Sequence, residues 1–152
     1  MSRVNPPAGD TWLPTNGLWQ CPACGKQFKQ RGLWHSCIVV SLDEHFRQHS
    51  DVRPLFDAFC RVLEEEGGPF RLSIARTRIG FITRMTFAAV SVRKAELRGH
   101  FLLLRRVESL RIRRVEYFAP YWLHQFSLRS AAEVDGEMRG WLKESYAVGS
   151  RV

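Results

Sequence analysis

A chain of 152 residues with 45% hydrophobic and 12% aromatic side chains has the make-up of one compact domain with a short appendage, which excludes a wholly disordered protein. The formal charge is +8, and no apolar run approaches the ~18 residues of a membrane span. The leading stretch MSRVNPPAGDTWLPTNG lacks the apolar core of a signal peptide, so a cytoplasmic location with reduced thiols is expected, which weighs against a structural disulfide.

Residues 1–18, rich in Pro, Gly and Asn, read as a flexible lead-in. Residues 19–39 read as a zinc knuckle. Cys21 and Cys24 have the CxxC spacing that lets one tight turn present two sulfurs to an ion, and Gly25 supplies backbone freedom for that turn. His35 and Cys37 are two apart, so an extended segment points both the same way. Three thiolates and an imidazole make a closed tetrahedral set, suited to one structural Zn²⁺ and leaving no position open for catalysis. A thioredoxin-like redox pair at CPAC is the competing reading, but it lacks a βαβ context and leaves His35 and Cys37 unexplained. Trp19, Phe28 and Trp34 would form a small core around the metal; Lys26, Lys29 and Arg31 would be free to grip phosphates.

Ser41 and Glu44 have capping-box spacing and open a helical region. The helix restarts near Ser50, because Pro54 fits only a first turn. Val52, Leu55, Phe56, Phe59, Val62 and Leu63 then recur at helical steps, with Cys60 beside that stripe as a buried thiol, until Gly67–Gly68 stops them. The period then changes to two. Phe70, Leu72 and Ile74 make one strand; Ile79, Phe81, Met85 and Phe87 a second. Leu97, Phe101 and Leu103 make a third, Val115 and Tyr117 a fourth, and Trp122, His124, Phe126 and Leu128 a fifth. Ser130 and Glu133 form a second capping box before a helix carrying Val134, Met138, Trp141, Leu142 and Tyr146. The aromatic run 117–122, YFAPYW, is expected in the core.

A run of strands between two helices, with no helical crossovers, implies an α+β two-layer sandwich over residues 40–149. Its mostly antiparallel sheet has about five strands, with helices on one face. Residues 68–130 hold thirteen basic side chains against three acidic, and twelve of the thirteen are arginine, the residue suited to bidentate contact with phosphate. Arginines alternating with core residues would gather on the uncovered face.

The segments SLDEHF, VRPLF, TRIGFITRMTFAAV, LRGHFLLLRR, HQFSLRS and VDGEMRGWLKESYAVG resemble an uncharacterised bacterial family, domain of unknown function 5655. The resemblance runs from about residue 40 to 149, and the zinc motif, ending in WHSC, is an N-terminal extension found in some members. It implies that this region folds as one unit. Some members are fused to modules that look like nucleic-acid-processing or defence components, which tilts the expectation toward DNA or RNA. The family supplies no catalytic residue.

Three functions follow as expectations. The first is non-enzymatic nucleic-acid binding, with Arg71, Arg76, Arg78, Arg84, Arg93, Lys94, Arg98, Arg105 and Arg106 on phosphates. Phe70, Tyr117, Tyr121 and Trp122 would stack on bases. The second is a small-anion or enzymatic pocket between sheet and helices, drawing on Thr77, Arg78, Arg84, His100, Tyr117 and His124. Against it, no Ser/His/Asp or paired-carboxylate spacing and no Gly-rich phosphate loop is present. The third is a protein-interaction adaptor, docking through the acidic first helix or the knuckle. The zinc assignment has a direct check: elemental analysis is expected to find one zinc per chain, lost on Cys21→Ser. Metal-free protein with two reactive thiols would favour the redox pair instead.

Overall fold

The structure, a computed structural model, describes residues 19–21, 27–28 and 41–151. Strands β1 (Trp19–Gln20) and β2 (Gln27–Phe28) pair antiparallel, Trp19 opposite Phe28. Cys21 directly follows β1 and is buried. The lead-in 1–18, the other proposed ligands Cys24, His35 and Cys37, and Lys26, Lys29, Arg31 and Trp34 lie outside the described residues.

Ser41 caps the short α1 (Leu42–His45) by accepting the Glu44 N–H at 3.3 Å. A 3₁₀ turn at Ser50–Val52 leads into α2 (Arg53–Glu66), with Pro54 in the first turn, where no hydrogen bond is lost. Leu55, Phe56, Phe59, Val62 and Leu63 form its buried stripe. Cys60 lies beside them, its thiol pushed far up by burial. Gly67 and Gly68 end the helix against Tyr146: a Cβ on Gly67 would sit 2.3 Å from that ring, and Gly68 has φ +138°.

Six strands follow: β3 (Arg71–Ile74), β4 (Ile79–Ile82), β5 (Thr86–Arg93), β6 (Glu96–Leu103), β7 (Ile112–Phe118) and β8 (Tyr121–Leu128). They form one antiparallel-paired sheet in the order β3-β4-β5-β6-β8-β7. There are six strands rather than about five because Ile79–Phe87 divides at residues 83–85. There Thr83 N–H bonds Met85 C=O, and the N–H groups of Arg84 and Met85 both turn to Gly149 C=O. After η2 (Ala131–Glu133), whose capping box forms as its spacing predicts, Asp135 caps α3 (Gly136–Gly149).

Both long helices pack on the same face. Phe59 of α2 lies 5.4 Å from Phe81 and 5.9 Å from Phe126, ring centre to ring centre, and Trp141 of α3 stacks 5.7 Å from Phe101. Register explains the selection: Phe81, Ala88, Phe101 and His124 are successive cross-strand neighbours and share this face. The ladder between β4 and β5 slips by one residue at Phe87. Ser145 of α3 closes the gap, donating to Phe87 C=O at 2.9 Å and accepting Leu102 N–H at 3.2 Å. The fully buried Ser145 hydroxyl thus replaces two ladder contacts that the bulge removes.

Candidate functional site

No described helix or crossover packs on the second face of the sheet. Paired residues along β6 and β8 show its chemistry: Arg98 opposite Ser127, His100 opposite Gln125, Leu102 opposite Leu123. The face therefore runs from charged through polar to apolar along the strand direction. Its middle is partly closed, since Gly80 and Ala89 are buried.

The charged end is built by three connections that register brings together. Arg76 and Arg78 lie in the β3–β4 turn, which is held to β5 by Ser91 Oγ donating to Thr77 C=O at 2.9 Å. Arg93, opposite Glu96, and Lys94 lie at the β5–β6 hairpin. Arg129 follows β8, and Arg113 and Arg114 lie at the start of β7, where Arg113 donates to Ser127 Oγ at 2.8 Å. These cations and Arg98 are all exposed. Glu96 answers Arg98 at 3.1 Å and Arg129 at 3.9 Å, and Glu116 answers Arg114 at 3.2 Å. Among the described residues Arg76, Arg78, Arg93, Lys94 and Arg113 have no ion pair.

Five of the nine cations expected on phosphates, Arg76, Arg78, Arg93, Lys94 and Arg98, meet at this end. The other four do not. Arg84 sits in the β4–β5 turn at the opposite end, against the C-terminus of α3. Arg105 and Arg106 belong to the crossover 104–111, which joins the parallel strands β6 and β7 along the helix side. Arg105 there makes a two-pronged contact to Glu144 at 2.9 and 3.0 Å, and Arg106 lies 3.5 Å from Glu108. Arg71 has the second-face register but is only 5% exposed, and its Nε and Nη2 have no partner among the described residues; burial lowers its pKa. Arg113, Arg114 and Arg129 join the five at the charged end; they fall outside the expected set because the apolar residues that define the fourth and fifth strands begin at Val115 and end at Leu128. The alternation Arg114–Glu116 carries the only signal that places Arg114 on this face.

The alternative pocket divides between the two sides of the sheet. His100 is cross-strand from Ala89 and Gln125 on the second face, with Thr77 and Arg78 at the nearby turn. Burial, and then the charge of Arg78, push its pKa down to about 4. His124 stacks on Phe101 under the helices and is fully buried. Val107 N–H donates to its Nε2 at 3.0 Å, so the ring proton sits on Nδ1 and is donated to Trp122 C=O at 3.0 Å. Both nitrogens are committed to holding the crossover, and burial lowers its pKa. Tyr117 lies on the helix-side register near the far end, and Arg84 lies in the turn at that same end. These six residues do not line one cavity.

The aromatic run 117–122 is not core. It forms the tip of the β7–β8 hairpin, with Tyr117 56% and Phe118 54% exposed. The reason is position: β7 is the last strand of the sheet, and no described helix covers its outer end. Tyr117 packs 4.6 Å from Trp122, and the Arg106 guanidinium lies 6.0 Å from the centre of the Trp122 ring. Phe70, expected as a stacking platform, is instead buried against Phe81.

Comparison with known families settles the lineage of this fold. The family model for a domain of unknown function (DUF5655) matches residues 42–149. The chain belongs to that family. No curated protein and no solved structure matches it. The match covers the whole sheet and all three α-helices of this DUF5655 domain and stops short of the Cys/His segment. Among the described residues no group of three His, Cys, Asp or Glu is placed to hold a metal, and no helix is long and apolar enough to cross a membrane.

The neutral His100 has a consequence for stability. Its folded pKa lies below the unfolded value, so the unfolded chain binds the extra proton first as pH falls. Stability is full above about pH 6.5 and declines toward pH 4, by at most about 1.4 kcal/mol per pH unit from this group. Denaturant midpoints measured across that window are expected to fall less steeply for His100→Gln than for the native chain. Parallel curves would show that His100 is not held neutral by the fold.

Proposed function

We propose that the protein binds nucleic acid through the charged end of its second sheet face and catalyses no reaction. The observation that supports this most is the set of exposed cations with no carboxylate partner among the described residues, Arg76, Arg78, Arg93, Lys94 and Arg113. Phosphate binding by arginine gains from planar, charge-assisted contacts and from counterions released by the polyanion. Cations already tied to carboxylates gain less, so the Arg105 and Arg106 side of the molecule is excluded from the site. The hydroxyls of Ser91 and Ser127 and the Gln125 amide lie on the same register and would add neutral contacts to phosphate or sugar.

One structural zinc belongs to this reading, held by Cys21, Cys24, His35 and Cys37. Cys21 follows β1 directly, and the pairing of β1 with β2 brackets the segment that contains both cysteines of the CxxC. A zinc closed by four protein ligands would staple the N-terminal segment and do no chemistry on a substrate. A cytoplasmic location, where those thiols stay reduced, goes with it.

Salt-titrated binding to duplex DNA, single-stranded DNA and RNA tests the site. Affinity is expected to fall steeply with salt, each phosphate contact contributing a slope of about 0.9 on duplex DNA or about 0.7 on a single strand. Arg76→Ala/Arg78→Ala/Arg93→Ala together should reduce that slope by about two to three, while Arg105→Ala/Arg106→Ala leaves it nearly unchanged. Salt-insensitive binding, or equal loss in the two variants, would contradict the proposal.

A further inference from the structure

The two edges of the sheet differ. The β3 edge is four residues long, too short to template another chain well. The β7 edge runs for seven residues, and every second residue turns its N–H and C=O away from β8 with no described strand to receive them. Two of the four large apolar side chains most exposed among the described residues, Tyr117 and Phe118, lie on β7, and a third, Leu110, lies two residues before it. A bulge between Ile112 and Arg114 leaves Arg114–Phe118 as the regular stretch available for pairing.

We infer that β7 pairs antiparallel with β7 of a second copy of this chain, on a two-fold axis through Val115. Charge selects that register. Arg114 and Glu116 share one face, as their register to β8 and their 3.2 Å ion pair show. An axis through Arg114 sets two arginines directly opposite, and an axis through Glu116 sets two carboxylates opposite; like charges at such positions destabilise a ladder. An axis through Tyr117 draws Pro120, which has no N–H, into the pairing. With the axis at Val115, Arg114 meets the partner's Glu116, Glu116 meets the partner's Arg114, and the two Val115 side chains meet each other. Each carboxylate then lies between two guanidiniums. The joined sheet has twelve strands, and the exposed tips bearing Tyr117 and Phe118 are brought to the seam.

Sedimentation of the native chain is the test, and it needs no nucleic acid. The native protein is expected to dimerise. Arg114→Glu alone and Glu116→Arg alone each place like charges across the axis and should weaken the dimer at least about tenfold. Arg114→Glu/Glu116→Arg together exchange the charges across the axis and should restore it, which separates loss of contact from loss of fold. A native chain that stays monomeric overturns the inference. So does a dimer indifferent to the single reversals, or a double exchange that is folded yet monomeric.

Discussion

Aromatic stacking between one sheet face and two helices is the contact on which the remaining features depend. Phe59 lies between Phe81 and Phe126, and Phe101 between Phe126 and Trp141, so rings from both long helices are interleaved with rings from three strands. Large rings bury much area each and prefer offset or tilted contacts at these separations. Once that face is committed, the period of two obliges alternate residues of every strand to turn the other way. Arg98, His100 and Gln125 are where they are because Leu97, Phe101 and Phe126 are under the helices. At the bulge the consecutive residues Phe87 and Ala88 both belong to the core, and Ser145 satisfies the backbone groups the bulge strands.

The distribution of charge follows from the same geometry. Arginines in the turns at one end of the sheet find few carboxylates, because the acidic residues of the chain are concentrated in the α2 region and around α3. Arginines that reach the helix side find them: Arg105 with Glu144, Arg111 with Asp135, Arg139 with Glu65. The positive charge of the middle segment therefore divides into a neutralised portion and an unanswered one. Only the second bears on a polyanion. Arg71 stands apart from both, a buried guanidinium with two nitrogens unpartnered among the described residues.

Much of this was legible in the sequence because it rests on local periodicity. The α2 stripe from Leu55 to Leu63, the cap at Ser41, the box at Ser130 and Glu133, and the alternation of β6 and β8 are all set by residues within a few positions of one another. The errors lie where a distant contact decides. The split at residues 83–85 depends on Gly149 accepting two N–H groups from about 65 residues away in sequence. The exposure of Tyr117 and Phe118 depends on β7 being an edge, a matter of strand order that periodicity does not encode. His124 looks like His100 in sequence, yet one register step relative to the pairing sends it under the helices and the other to the opposite face. Likewise Arg98, Arg105 and Arg106 are near neighbours in sequence, but the crossover carries the latter pair to the acidic side.

The proposed site is one end of one sheet face. Amide chemical-shift mapping during addition of a short oligonucleotide locates it directly. The largest changes are expected at residues 76–78, 91–94, 98 and 127–129, with α2 and the crossover 104–111 quiet. Changes centred on the helix side, or none at any residue at low salt, would contradict it.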